Sequence, residues 1–238
     1  MTDRLEIPRL ESGLPRLDAI LGGGLPTGSM TVLAGPPGAG KTILAQQVCF
    51  QHASAAGRAL YFNTLSEPTA KTLRFLGQFA FFDAARLEDG VRFIDLGDVA
   101  RTGGLEQAAD HIMEHVEKAK PTLVVVDSFK AFDDLARSKE DLRRFGYEIA
   151  VRLMVWDCTS FLLGGYRATE RAFNPLFSVV DGLILLTQRR SAGKRQRFLR
   201  IVKMRGTEHS REAHPFIIAR SGVEVQPRRG AERAAEAG

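Results

Sequence analysis

Residues 29–53 read SMTVLAGPPGAGKTILAQQVCFQHA, and the fold turns on how this stretch is parsed. SMTVLAG is a short, near-continuous apolar run, as expected of a strand buried on both faces. TILAQQVCFQHA spaces its apolar residues as a helix does. Between them GPPGAGKT, Gly35 to Thr42, fits G-x-x-x-x-G-K-[ST] in the strand-to-helix context that this pattern requires. Each part has a chemical reason. Gly38 and Gly40 let the backbone turn its N–H groups inward, Lys41 places a point charge on β/γ oxygens, and the Thr42 hydroxyl ligates Mg²⁺. The helix N-terminus adds partial positive charge. A chance glycine turn would satisfy the bare pattern in roughly 1% of chains this long, before the strand and helix are required. The stretch therefore predicts a phosphate cradle of Gly35, Pro36, Pro37, Gly38, Ala39, Gly40, Lys41, Thr42 and Ile43.

A cradle of this kind needs a carboxylate at the end of a neighbouring strand to hold the metal's water shell. LVVVDS supplies Asp127, although an Asp closing a strand into a turn is also common. RALYFNT, VRFIDL, TLVVVD, TSFLLGG and DGLILLT read as strands, and EPTAKTLRFLGQFAF, LEQAADHIMEHVEKAK and KEDLRRFGYEIAVRLMVW as helices. The all-apolar strands between helices predict an α/β fold with a mostly parallel central sheet flanked by helices. From Gln188 the pattern changes. QRRSAGKR reads as a turn, and QRFLRIVKMR, PFIIA and GVEV as short antiparallel strands continuing one edge. One domain over 1–226 is expected, followed by a polar tail at 227–238 expected to be disordered.

Bulk composition narrows the class. The 238 residues carry a formal charge of +5. Arg189 to Arg205 contains eight basic and no acidic residues, and without those eight the charge becomes −3, so the basicity is local. No apolar run is long enough to span a membrane, no signal-peptide pattern is present, and no membrane partner is expected. Cys49 and Cys158 form no CxxC pairing. A reduced, cytoplasmic setting with both as small core residues fits best.

Read in order, LESGLPRLDAILGGGLPTGSMTVLAGPPGAGKT, LVVVDS, VVDGLILL and KMRGTEHSREAHPFII resemble the KaiC-type branch of the RecA superfamily of ATPases, over roughly residues 9 to 226. The resemblance implies a RecA-like P-loop core, ATP as the nucleotide, Mg²⁺, and a homo-oligomeric ring, usually a hexamer, with nucleotide at its seams. It also implies that the Lys and Arg of K-x-R-G, here Lys203 and Arg205, reach the γ-phosphate held by a neighbouring subunit. The strand period independently places 203 and 205 on one face. Arg195, Arg197 and Arg200 suit a solvated edge strand. Related chains carry a Glu-Glu pair after the second strand; here Ser66 stands in the first place and Glu67 in the second. Glu67 is the candidate to handle the attacking water, and slow hydrolysis is expected, while Ser-Glu-Pro is also an ordinary helix start. In NPLFSVVDG only Ser178 matches a cluster that some relatives phosphorylate, so no such cycle is expected, nor is the second ATPase domain of such relatives.

Tyr166, Arg167, Arg171 and Phe173 lie in a segment analogous to recombinase DNA-binding loops and could hold single-stranded DNA, a reading not favoured. His111, His115 and His214 lack ligand spacing and are expected at the surface. The favoured function is Mg²⁺-dependent ATP binding and slow hydrolysis between subunits, in a regulatory or signalling role with the protein partner left open. A recombinase-like single-stranded DNA module and a nucleotide switch with negligible hydrolysis are the alternatives.

Overall fold

The computed structural model describes residues 6–54, 57–64, 69–167, 169–170, 174–191 and 194–227. Its strands are β1 (Arg9–Leu10), β2 (Leu25–Pro26), β3 (Met30–Ala34), β4 (Ala59–Asn63), β5 (Val91–Asp95), β6 (Leu123–Asp127), β7 (Thr159–Gly164), β8 (Gly182–Ser191), β9 (Lys194–Met204), β10 (Ala213–Ala219) and β11 (Gly222–Val225). The helices are α1 (Pro15–Ile20), α2 (Lys41–Ser54), α3 (Thr69–Leu76), α4 (Gly97–Ala119), α5 (Lys139–Val155) and α6 (Leu176–Val179).

Nine strands form one sheet in the order β11-β10-β9-β8-β3-β7-β6-β4-β5. The six from β5 to β8 are parallel, and β9, β10 and β11 continue the sheet antiparallel, as the sequence predicted. The short β1–β2 pair is separate and was not foreseen.

Alternation explains why the parallel strands read as continuous apolar runs. Leu123 and Val125 join one core with α1, α2 and Leu76 of α3, whereas Val124 and Val126 join the other with α4, α5 and α6. Tyr61 and Phe62 divide in the same way, as do Phe161 and Leu162. Both faces are covered, so these strands are mostly apolar, and polar residues such as Thr31, Thr159 and Ser160 are few and buried. Each fully buried aliphatic side chain contributes about 1.5–3 kcal/mol. Cys49 and Cys158 are free and buried, and burial pushes both thiols up, Cys158 to about 11, so they are protonated core groups.

Three boundaries differ from expectation. The helix expected at 67–81 ends at Leu76, where the chain turns so that Phe81 and Phe82 pack on Phe50, Phe79 stacks on Phe81, and the Ala80 N–H reaches Arg220 O at 2.8 Å. α4 starts eight residues before its periodic stretch and is interrupted at Gly104 (φ 68°, ψ −160°). The segment read as a turn, 188–195, is mostly strand: β8 runs to Ser191 and β9 begins at Lys194. Cross-strand bonding carries these basic residues further than their composition suggested. The tail expectation falls almost wholly on 228–238, outside the described residues.

Candidate nucleotide-binding site

The loop after β3 is shaped by close approach. Gly35 (φ 152°) lies where a Cβ would stand 2.3 Å from Leu186 O, and its N–H reaches Gly164 O at 3.3 Å. Gly40 (φ 105°) faces Ile218, whose Cδ1 would be 2.9 Å from a Cβ. No side chain fits at either place. Pro36, Pro37 and Gly38 are exposed, Ala39 is buried, and α2 starts directly at Lys41 with Thr42 and Ile43 in its first turn. The Lys41 ammonium curls over the loop and donates to Gly35 O at 2.8 Å and Pro36 O at 3.1 Å. Burial pulls its pKa down, partly opposed by Asp127. A cation held in this way has unmet demand for an anion.

β6 ends at Asp127, on the same face as Val125 and hence toward α2. Its Oδ2 accepts the Thr42 hydroxyl and the Tyr61 hydroxyl, each at 2.7 Å. Tyr61 is buried, and burial followed by Asp127's charge raises its pKa, so it stays a donor. Thr64 holds the next peptide: its N–H reaches Asp127 O at 2.8 Å, its Oγ1 donates to Ser128 O at 2.9 Å, and Ser128 N–H donates back at 2.9 Å. The donor set fits Mg²⁺. Thr42 spends its hydrogen on Asp127 and keeps oxygen lone pairs for a metal, and both groups are hard oxygen ligands. Among the described residues no group of three His, Cys, Asp or Glu side chains could hold a metal. A cation here would draw its remaining ligands from phosphate and water, which is how Mg²⁺ is commonly held. A cavity of about 400 Å³ opens beside this pair, lined by Thr42, Asn63, Asp127, Thr72, Phe75 and Phe79. Glu67 and Ser66 lie outside the described residues.

The hairpin beyond the loop adds groups that the sequence reading missed. Gln188 pairs with Arg197, and Arg197 with Phe216, across three adjacent strands. Gln188 Nε2 would lie 3.8 Å from a Cβ on Gly38, and Phe216 Cε2 3.5 Å from one on Gly40. Arg197 therefore stands between two residues that overhang the phosphate loop. Gln188 Nε2 and Arg197 Nε are buried without a hydrogen-bond partner among the described residues. This corrects the solvated-edge reading for Arg197: β9 is interior, flanked by β8 and β10, and the sheet's edge is β11. A signal was present, because the apolar alternation of Leu199 and Ile201 puts Arg197 on their core-facing side. Arg195 and Arg200 are exposed, the latter donating to Arg211 O at 3.0 Å.

Lys203 and Arg205 share a face, as their spacing predicted, and it is the face away from α2. A bulge at Val202, between the pairs Leu183↔Lys203 and Ile184↔Ile201, reverses the alternation, so that Met204 and not Lys203 follows Ile201 into that core. Lys203 Nζ donates to Val180 O, and Arg205 Nη1 to Asp181 Oδ1 at 3.2 Å. Burial, then Arg205's charge, lowers the Lys203 pKa. Met204 pairs with Gly182, which pairs with Thr31 near the start of β3. Four residues of strand separate that row from Gly35, roughly 13 Å at about 3.3 Å per residue. The two basic groups are thus at the opposite end and on the opposite face from their own chain's phosphate loop.

Other expectations sort plainly. Tyr166 is fully buried and bonds Asp133 Oδ1 at 3.1 Å, so it is no stacking platform, because its ring is consumed by packing on Phe177. Arg171 and Phe173 lie outside the described residues. His111 and His115 are half-buried, with Nε2 atoms 3.3 Å apart and His115 edge-on to Phe62, so they are not freely exposed. No helix among the described residues is long and apolar enough to cross a membrane.

A parallel sheet with a glycine-rich loop entering a helix at the carboxyl end of a central strand is the architecture of the P-loop class. Comparison with known proteins refines this. A family profile described as "ATPase: KaiC" matches residues 10–230. A UPF0273 protein of Methanopyrus kandleri is 30% identical over 94% of both chains. The circadian clock oscillator protein KaiC 1 of Synechocystis is 27% identical over 94% of this chain, which spans 45% of that protein. The crystal structure of a KaiC-like protein from Pyrococcus horikoshii superposes with a TM-score of 0.81 at 24% identity, covering 93% of this chain and all of that one, a likeness of fold. The chain belongs to the KaiC family of RecA-superfamily ATPases.

Proposed function

We propose that the protein binds ATP in the cleft of Gly35–Ile43 and hydrolyses it slowly where two copies of the chain meet. The observation that carries this reading is the contact of Thr42 Oγ1 with Asp127 Oδ2 at the mouth of the loop that Lys41 already covers. Cation, hydroxyl and carboxylate converge where a triphosphate with its metal would need them. Loop N–H groups and the α2 N-terminus receive phosphate oxygens, and Lys41 exchanges the two carbonyls it now contacts for β/γ oxygens. Arg197 and Gln188 bring further donors from above. Thr42 and Asp127 would hold Mg²⁺, which when bound neutralises phosphate charge and helps align the leaving oxygen. Tyr61 fixes the orientation of Asp127.

Lys203 and Arg205 act in trans in this reading. Both lie too far from their own loop, and both converge on one face, as a pair serving one anion cluster must. Glu67, which lies outside the described residues and follows Thr64 in the sequence, is assigned to orient the attacking water by the resemblance alone. A ring, by resemblance a hexamer, satisfies the geometry by repeating one heterologous seam. Burial of Tyr166 counts against the single-stranded DNA alternative.

Two substitutions test the assignment. Lys41→Ala should abolish ATP binding in calorimetry. Arg205→Ala should leave ATP affinity within about twofold and cut turnover by about 10³ or more, the range of finger arginines. Unchanged turnover in the second variant would remove the trans finger.

A further inference from the structure

Asp181 occupies a junction between the two ends of the proposed machinery. Its N–H donates to Met30 O at 2.8 Å, and its Oδ2 accepts the Met30 N–H at 3.0 Å, so two bonds tie it to the first residue of β3. Two more tie it to the finger: Arg205 N–H donates to Asp181 O at 3.0 Å and Arg205 Nη1 to Oδ1 at 3.2 Å. One carboxylate thus has one oxygen on the strand that runs into its own phosphate loop and the other on the guanidinium meant for a neighbour's nucleotide. The segment around it has no slack. A Cβ on Gly182 would lie 2.3 Å from Thr31 Oγ1 and 2.9 Å from Met204 Cε, wedging residue 182 between β3 and β9.

An isolated ion pair with a side chain 58% exposed would contribute little to stability. Direction is another matter. Arg205 is a long side chain with many rotamers, and its bond to the Asp181 carboxylate, itself held by Met30, favours those that keep the guanidinium at this place. The other cation, Lys203, is tied to Val180 O, the carbonyl immediately before Asp181.

We infer that Asp181 is a positioning residue: its carboxylate aims Arg205 at the adjoining subunit's phosphates and, through Met30, joins that aim to β3 and the phosphate loop of its own subunit. The inference rests on the trans reading above. Each subunit then presents its finger braced, through Asp181, against the strand that runs into its own phosphate loop, so occupancy at one seam bears on the next. Misplacement of a reacting group by about 1 Å costs up to about 10² in rate.

Asp181→Asn tests this with little change of shape. Its amide oxygen still accepts the Met30 N–H, but the charge facing Arg205 is gone. ATP affinity should stay within about twofold, which also reports that the fold is intact, and turnover should fall about tenfold to hundredfold. Mixed assemblies give the decisive measurement. A Lys41→Ala subunit has no working loop but an intact finger, so titrating it into Asp181→Asn should raise turnover per Asp181→Asn loop. The control mixture, Arg205→Ala with Lys41→Ala, should rise in the same way. A rise in the control alone means that Asp181 serves its own subunit's loop, and the inference is wrong. Absence of a rise in both means that the trans reading itself fails and takes the inference with it. Wild-type turnover in Asp181→Asn also overturns it. Should the amide disrupt folding, Asp181→Ser, which also removes the charge facing Arg205 and is smaller, runs in the same mixtures with the same outcomes.

Discussion

The six parallel strands and the antiparallel flap of β8–β11 belong to one sheet but are built by different rules. In β3, β4, β6 and β7 nearly every side chain is buried, and alternate residues feed cores on opposite faces. In β9 buried Leu199 and Ile201 alternate with exposed Arg200 and partly exposed Val202, and Arg197 stays on the core-facing side with no partner for its Nε among the described residues. The first region stores stability, while the second spends surface on charge. Every group proposed to meet a phosphate, apart from the loop and Asp127, comes from the flap. In the function proposed above, the parallel half holds the loop, and the flap would supply cations to it from above and to a neighbour from below.

This division makes quantitative demands. Leu162→Ala, fully buried in β7, should cost about 2–5 kcal/mol in denaturant unfolding. Arg195→Ala, exposed near the turn end of the β8–β9 hairpin, should stay within about 0.5 kcal/mol in the same measurement. Comparable losses at the two positions would erase the contrast. Within the flap, Arg197→Ala should weaken ATP binding by roughly tenfold, the loss of about one charged hydrogen bond, with Arg195→Ala as the unaffected control in the same titration. If both variants bind equally, Arg197 does not overhang the nucleotide as its strand position implies.

The smallest effect expected is in pH. Burial lowers the pKa of His52, His115 and His214, so the folded chain resists protons that the unfolded chain takes up near 6.5. Stability from these groups is complete above about pH 7 and is lost as pH falls through 6.5 toward their folded values. His52, near the end of α2, contacts Thr122 Oγ1, just before β6, at 2.6 Å. His52→Gln should show a shallower fall of Tm between pH 7.5 and 5.5 than the unsubstituted protein.

Much of the parallel half was legible because its signals are local. GPPGAGKT lies between a strand and a helix, and LVVVD has no reading other than a buried strand ending in a carboxylate. The flap was legible only as strand-forming sequence. QRRSAGKR looks like a turn by composition, and only its pairing with the opposite strand makes most of it β-structure. Gln188 was passed over and Arg197 was read as solvated edge: the alternation with Leu199 and Ile201 gave Arg197 its face, but not the distant loop that lies against it.

By itself the chain's sequence determined the α/β class, the phosphate loop, the carboxylate at Asp127 and the fact that positions 203 and 205 share a face. Local spacing suffices for these, since a strand's period of two and a loop's glycines act within a few residues. Which face receives Lys203 and Arg205 was decided only in three dimensions. One extra residue at Val202 reverses the alternation against β8, and a bulge exists only when two strands are paired. The same pairing sets Arg205 against Asp181 and puts its guanidinium at the end of the sheet that its own nucleotide site does not occupy.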